Sequence, residues 1–593
     1  MSISLAKFTK PSTRHESITP PATPHVSITS APPDITRTLQ SMFDPFGMFA
    51  SIFQSQQAWA QHPQEWLHAM DRLAREMGAL QAHGLRRAFK LEQEDYIKPA
   101  EGDARFDASE WRDDLAYDLL KQWYLLYTRW IGEAVYDTPA MTKHNRRRAA
   151  FWVRQWFNAL APTNYFLTNP VAIRKFLETN GESLVAGLKN FSEDQRAGDL
   201  QMVDTSSFSV GKNLATTPGS VVFRNELIEL IHYAPMSEQV HAIPLLFVPP
   251  WINKFYILDL NEKKSIVRYL LTQGYSVFVI SWRNPDASMA ETTFEDYVLT
   301  GVLPAVQAAR ALCGVPQVHT VGYCLGGTTL ATLLAWLNRE FEGKPGIPIA
   351  SWTMMASLVD FSRAGEIEAF LNEEGIRKVE EVLARKGYLD GREMSTTFRM
   401  LRPNSLIWNY FVHSYLYGEK PPAMDVLYWN TDTTRLPRAM HSFYLRNCYV
   451  KNALAQRDGI VIGGHSIDLR RITQPLYAVG SDEDHITPWR GTFKTCTLVS
   501  GPARYALSTS GHILGIINPP VSPPKRAYWA GDWKGETDGK AWRSHHQQEP
   551  GTWWLDWTRW LDQHCGPLQA PPPMETKDYP ALCAAPGTYV MQR

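Results

Sequence analysis

An α/β fold organised around a parallel sheet is what the sequence predicts, on three observations. Apolar strand-like segments alternate with helical ones after Ser206; a glycine-flanked turn, Val321–Gly327, links one such strand to a helix; and a long aromatic-rich helical stretch interrupts the alternation before it resumes. Strands separated by helices pair in parallel, and the helices then cover both faces of the sheet. A chain of 593 residues that is 44% hydrophobic and 20% charged has ample apolar material for such a core, which excludes wholesale disorder. Its 60 basic and 60 acidic residues cancel. A neutral balance carries neither the basic footprint of a nucleic-acid binder nor that of a polybasic membrane-surface protein. The six cysteines include no CxxC pair and no zinc-like Cys/His spacing, which points to reduced thiols in a cytoplasmic setting and implies no metal. No signal peptide is visible, and no run approaches the ~18 apolar residues of a transmembrane segment.

Residues 1–36, rich in Ser, Thr, Pro and His, read as a disordered tail. Residues 37–205 read as a helical N-terminal domain. There Met42, Phe46, Met48, Phe49, Ile52 and Phe53, followed by Trp59, Trp66, Leu67 and Met70, trace one apolar helix face. That face either packs on its own domain or docks on a partner. A strong helix is expected from near Asp107, with Ser109 at its start, because Trp111, Leu115, Leu119, Trp123 and Tyr127 recur at helical steps. Further helices are expected at 144–160 and 170–192.

Residues 206–593 form the expected catalytic domain. Strands are predicted at Val221–Tyr233, Ile243–Val248, Tyr275–Trp282, Gln317–Gly322, Ile349–Met355, Gln474–Gly480 and Arg504–Ser508. Helices are predicted at Leu260–Gln273, Phe294–Cys313, Thr328–Asn338 and near Trp553–Gln563. About residues 360–465, with Trp408, Tyr410, Tyr415 and Trp429, read as a cap inserted over the C-terminal edge of the sheet.

The run Val321-Gly-Tyr-Cys-Leu-Gly-Gly327 lies between a predicted strand and a predicted helix. This is the nucleophile elbow of the α/β-hydrolase fold, with Cys324 in the place of the usual serine. The flanking glycines are needed because a side chain there would strike the neighbouring strand and helix. Such an elbow requires an acid and then a histidine, in that chain order, at the ends of later strands. Asp482, Glu483 and Asp484 follow the Gln474–Gly480 strand and compete for the first role; His512 follows the next strand. The oxyanion hole is expected from the backbone N–H of Leu325 and from Trp251 or Ile252, in the loop after Ile243–Val248. Asn253 and Lys254 either fix that loop or meet a phosphate.

The runs PPWINKFYILDL, SWRNP, GYCLGG, LRPNSLIWNY, LYWNTDTTRLP, SDEDHITPW and SGHILGIINPP resemble the polyhydroxyalkanoate synthases, and most of all their class I members. The resemblance covers about residues 100–593. It implies an α/β-hydrolase domain with a helical cap, preceded by a helical N-terminal domain. It implies Cys324 as nucleophile, His512 as base and Asp484 as acid, since the family's acid directly precedes a histidine. It also implies (R)-3-hydroxyacyl-CoA substrates, chiefly 3-hydroxybutyryl-CoA, a growing polyester chain as product, no cofactor, and a homodimer at the surface of polyester granules, where granule-associated proteins could join it. Asn253 and Asp259 are then candidate substrate-binding residues, and Trp429 a candidate dimer or cap-gating residue. Two other readings fit the same elbow: a Cys-dependent thioesterase or intracellular depolymerase, and a non-catalytic granule-coat protein.

Overall fold

The sheet begins with a hairpin where one long strand was expected. The computed structural model describes residues 48–100, 102–371 and 373–593. In it, β1 (Gly219–Arg224) and β2 (Ile228–Tyr233) run antiparallel. The break within Val221–Tyr233 is made by Asn225, whose side-chain oxygen accepts the backbone N–H groups of Leu227 and Ile228, each at 2.9 Å. An Asn that bonds its own following backbone closes a turn, and the apolar residues on either side concealed it.

Next come β3 (Leu245–Val248), β4 (Val277–Trp282), β5 (Val318–Tyr323), β6 (Ile349–Met355), β7 (Leu476–Ser481) and β8 (Ala503–Ser508). These six strands pair in parallel. The sequence anticipated each of them to within two residues. β3, β4, β5 and β7 are buried along their whole length, which is why they read as continuous apolar runs and not as alternating ones. β9 (Ala527–Asp532), β10 (Glu549–Pro550) and β11 (Cys583–Ala584) lie in the Trp-, Pro- and Gly-rich tail and were not anticipated. All eleven strands join in the order β10-β9-β8-β7-β6-β5-β3-β4-β2-β1-β11. The chain therefore leaves β3 on one side for β4 and returns on the other for β5. A ligand crevice forms outside the carboxyl ends of the strands at such a reversal.

Among the described residues up to about 200 every regular element is helical. The helix expected from Asp107 begins instead at Leu115, after a one-turn Glu110–Asp113 helix. Its cap is Asp114, whose carboxylate accepts from Ala116 and Tyr117 N–H, not Ser109. The expected 170–192 helix divides into Pro170–Glu178 and Glu182–Ala197, because Asn180 and Gly181 both take positive φ. The apolar face beginning at Met48 is sorted by packing. Met48 and Ile52 pack against a cluster around Phe151 and Trp152, while Phe49, Phe53 and Leu67 stay exposed. The tail 1–36 and the start of the helical pattern before Met48, including Met42 and Phe46, lie outside the described residues.

The insertion between β6 and β7 carries the helices Glu373–Lys386, Gly391–Leu401, Asp425–Thr431 and Arg438–Tyr444 and a small hairpin, Ile460–Ile462 with His465–Ile467. The N-terminal helices are fastened to this cap. Phe151 and Trp152 pack with Phe370 and Leu401, and Ala172 packs with Val412 and Leu416. The Arg399 guanidinium grips Asp199 through two hydrogen bonds of 2.6 and 2.9 Å, and the Tyr415 hydroxyl donates to Asp194 at 2.6 Å. A Cβ on Gly187 would sit 2.0 Å from the Tyr415 carbonyl oxygen, so the two backbones touch. The described residues belong to one unit by their contacts.

Removing the chain through residue 200 would therefore uncover Phe370, Leu401, Val412 and Leu416 and strip Arg399 of its carboxylate. The apolar side chains so uncovered form a contiguous exposed surface prone to association. The truncated protein is expected to aggregate on size exclusion and to lose its cooperative thermal transition. A monodisperse product with an unchanged melting temperature would show that the helices are dispensable to the fold.

Candidate active site

Cys324 sits between the end of β5 and the helix Leu325–Glu340, with φ 51° and ψ −122°. A non-glycine residue at positive φ is strained and persists only where its surroundings enforce it. Here they do so by backbone contact. A Cβ on Gly326 would lie 1.9 Å from the Val248 carbonyl oxygen, and one on Gly322 would lie 2.4 Å from the Gly327 Cα. Cys324 N donates to the Met355 carbonyl at 2.8 Å, which ties the elbow to β6. The thiol is buried at 7% exposure.

The acid and the histidine come from the loops after β7 and β8. His512 Nδ1 donates to Asp484 Oδ2 at 2.7 Å. Asp484 is fully enclosed, and every oxygen lone pair finds work. Oδ1 accepts Ile486 N–H at 2.8 Å and Thr487 N–H at 2.9 Å, while Oδ2 also accepts the Thr487 hydroxyl at 2.7 Å. Burial by itself would raise the Asp484 carboxyl, but the His512 charge and these hydrogen bonds outweigh it and hold the carboxyl below its ordinary range. Burial works to lower His512, yet Asp484 and then Cys324 drive its imidazole well above its usual value. Cys324 and His512 line one cavity, and with Nδ1 committed to Asp484 the ring keeps Nε2 free for a partner there. Cys324, His512 and Asp484 are thus brought together in the arrangement that an acyl-transfer site requires.

The competing Asp482 has another partner: it accepts Ser510 N–H at 3.0 Å, which helps hold Ser510 at φ 89°. Arg402 donates to the backbone carbonyl of Glu483. His485, the neighbouring histidine, is pushed down to about 4 by burial and then by Arg402, so its ring is neutral at pH 7.

The loop after β3 is pinned from the cap. Thr434 Oγ1 donates to the Trp251 carbonyl at 2.7 Å and Thr434 N–H to the Ile252 carbonyl at 3.2 Å. Trp251 Nε1 in turn donates to Thr329 Oγ1 on the elbow helix at 3.2 Å. Trp251, Ile252, Leu325 and Cys324 all line one cavity, as oxyanion-hole residues must. Lys254 pairs with Asp432 at 2.7 Å and is buried, so it fixes the loop and meets no phosphate. Asn253 lines a wider cavity beside Cys324 and His512. Asp259 does not reach either cavity. It lies buried beneath the loop, where Thr217 Oγ1 and Ser265 Oγ donate to it at 2.6 and 2.7 Å, so the expected substrate contact is replaced by a structural one. Trp429 is likewise an inward residue: 3% exposed, it donates from Nε1 to the Lys254 carbonyl at 2.7 Å and walls the wider cavity. Its ring therefore offers no surface to a second copy.

Two cavities meet at Cys324. The inner one, about 50 Å³, is enclosed by apolar and aromatic side chains such as Phe361, Met394 and Phe398. The outer one, about 400 Å³, carries Asn253, Arg402, Glu483 and His512 besides apolar walls. Sequence reasoning missed Thr434, Thr487 and the cap side chains at the thiol. Thr487 alone left a signal, as a hydroxyl three residues past the acid. Among the described residues no cluster of His, Cys, Asp and Glu could hold a metal ion, and no helix is long and apolar enough to cross a membrane.

Comparison with known proteins bears on this arrangement. Residues 102–270 match the family described as "Poly-beta-hydroxybutyrate polymerase (PhaC) N-terminus", and residues 243–519 match "alpha/beta hydrolase fold". The chain is 40% identical over 553 residues to a poly(3-hydroxyalkanoate) polymerase of Methylorubrum extorquens, covering 92% of this chain and 90% of that one. It is 41% identical over 494 residues to the poly(3-hydroxyalkanoate) polymerase subunit PhaC of Cupriavidus necator, with 82% and 83% covered. Against poly(3-hydroxyalkanoate) polymerase 2 of Ectopseudomonas oleovorans the identity is 40% over 504 residues, with 84% and 88% covered.

Thr487→Val preserves shape and removes one hydrogen bond to an ionised, buried carboxylate. Such bonds are worth roughly 1.5–3 kcal/mol, so Asp484 should titrate higher than in the parent. We expect an upward shift of the Asp484 titration followed by NMR, together with at least a ~10-fold fall in turnover. An unchanged Asp484 titration would mean that Thr487 does not support the acid.

Proposed function

The chain belongs to the poly(3-hydroxyalkanoate) polymerase family, and we propose that it polymerises (R)-3-hydroxyacyl-CoA, chiefly 3-hydroxybutyryl-CoA, through acyl groups carried on Cys324. The observation that carries this reading is the elbow thiol sharing a cavity with a histidine that is itself held by a buried carboxylate.

His512 takes the thiol proton as the sulfur attacks the thioester carbonyl of the substrate. The oxyanion is met by the N–H of Leu325 and by that of Trp251 or Ile252. CoA leaves as its thiol, carrying the proton from His512, and the acyl group remains as a thioester on Cys324. This exchange of one thioester for another is nearly even. The 3-hydroxyl of a second unit then attacks; His512 accepts its proton and returns it to the departing Cys324 sulfur. An oxoester forms at the expense of a thioester, and that step is downhill. No other energy source is required. The cap encloses the acyl group and disfavours water, which would otherwise compete with the hydroxyl.

The polyester granule surface is the proposed place of work, in a homodimer. The exposed Phe49, Phe53, Leu67, Leu85 and Phe89 of the N-terminal helices support an apolar particle as neighbour.

Incubation with 3-hydroxybutyryl-CoA should give polymer and free CoA; free acid in place of polymer would favour a hydrolase. Cys324→Ala should abolish CoA release, and parental turnover in that variant would reject the assignment. Asp484→Asn separates the two half-reactions. A thiol is readily activated, whereas a secondary alcohol needs a strong base, so acylation should survive and elongation should fall by the ~10²-fold typical of general-base impairment. Rapid quench with labelled substrate reads enzyme-bound label and polymer separately. Equal loss in both would leave Asp484 as no more than the residue that orients His512.

A further inference from the structure

The inner cavity at Cys324 is apolar except on one side. The helix Arg438–Tyr444 runs on into a π-helical turn, Leu445–Val450, and presents His441, Tyr444 and Tyr449 to it. In an uninterrupted α-helix His441 and Tyr449 would point about 80° apart; the extra residue in the wider turn brings them within about 20°. π-turns inside helices are frequent at functional sites for this reason.

The three side chains are an unusual lining for a dry pocket. Tyr444 and Tyr449 stand edge to face, with ring centroids 5.3 Å apart. Both line the same small cavity as Cys324. His441 is 3% exposed, and its Nδ1 has no hydrogen-bond partner among the described residues. Burial pushes its imidazole down to about 4, against the opposing pull of Glu380, so the ring is neutral and one nitrogen can accept. Leaving a buried polar group unsatisfied costs about 1–3 kcal/mol, so such a group points to a missing partner.

We propose that His441, Tyr444 and Tyr449 form a subsite for the 3-hydroxyl of the acyl unit carried on Cys324, selecting 3-hydroxyacyl thioesters over unsubstituted ones. This rests on the reading that Cys324 carries the acyl group. The size agrees. At roughly 10–15 Å³ per water-sized probe, a cavity of about 50 Å³ holds three to five such groups. A hydroxyl, a methyl and the carbon bearing them fill that space. The hydroxyl can donate to one phenol or to the imidazole while accepting from the other phenol. The C3 methyl then faces Phe361, Met394 and Phe398. The CoA arm has the wider cavity, since the inner one has no room for it.

The test compares (R)-3-hydroxybutyryl-CoA with butyryl-CoA, which differ only in the hydroxyl, by rapid quench with labelled acyl groups and detection of label on Cys324. The variants are Tyr444→Phe and Tyr449→Phe, which keep the ring packing, with melting temperatures measured alongside. The parent protein should prefer the hydroxylated thioester by at least ~100-fold, because a site built to hydrogen-bond a hydroxyl rejects the analogue that lacks it. Each variant should lower that preference at least ~10-fold, wholly through slower reaction of the hydroxylated substrate, with butyryl transfer held within about twofold. Equal losses on both thioesters would make the tyrosines structural and overturn the subsite. So would an unchanged preference, or a parent protein that does not discriminate. A parent protein that takes no label on Cys324 from either thioester fails earlier: it overturns the function reading and the subsite with it.

Discussion

Contact between backbones at the elbow is the constraint on which the rest depends. The Val248 carbonyl at the end of β3 abuts Gly326, and Gly322 at the end of β5 abuts Gly327. No side chain intervenes, so the helix Leu325–Glu340 starts directly against the sheet and Cys324 is forced to positive φ. Strain of that kind is worth about 1–3 kcal/mol and is tolerated because the flanking strands are wholly buried. The same contact puts the Leu325 N–H and the loop after β3 on either side of the sulfur. Since β3, β5, β7 and β8 are parallel, their following loops open at one edge of the sheet. The oxyanion loop, the thiol, the acid and the histidine meet there as a consequence of topology.

Three consecutive acids then receive three different environments from one turn. Asp482 is spent on Ser510, the backbone carbonyl of Glu483 on Arg402, and the Asp484 carboxylate bonds His512. Burial works to raise both Asp482 and Asp484. Asp484 alone is provided with two N–H donors, a hydroxyl and a cationic ring, and it is lowered where Asp482 is raised by burial and by Glu483. The Asp482 contact is not idle, because it shapes the loop that carries His512.

The six parallel strands, the elbow at Cys324 and the histidine at a strand end were legible because each leaves a local mark: a continuous apolar run, a glycine pair, a polar residue after a strand. Asp484 was separated from its two acidic neighbours only by the family resemblance. What was not legible is long-range. Asn225 splits the expected strand within a polar run, Arg224-Asn225-Glu226, too short to stand out between apolar flanks. Asp259 looked like a binding residue since it lies in a run rich in chemistry, but its neighbours Thr217 and Ser265 absorb it. Trp429 was a candidate for the dimer interface or the cap because aromatic residues in an insertion carry no mark of direction; it turns inward, walls the wider cavity and bonds the Lys254 carbonyl. The π-turn that aligns Tyr449 with His441 is a change of one residue in helical phase, invisible to a pattern read at constant period.

The helix Gly391–Leu401 shows how the N-terminal helices bear on chemistry they never touch. Met394 and Phe398, one turn apart, wall the inner cavity at Cys324. Arg399, the next residue, is anchored to Asp199 at the end of the N-terminal helices, and Leu401 packs with Phe151 and Trp152. Side chains one and four residues apart on so short a helix cannot move independently, since interiors are close-packed and transmit displacement. A shift of the N-terminal helices would therefore be felt at Met394 and Phe398, or would break the Arg399–Asp199 pair. On this geometry the N-terminal helices brace one wall of the cavity at Cys324.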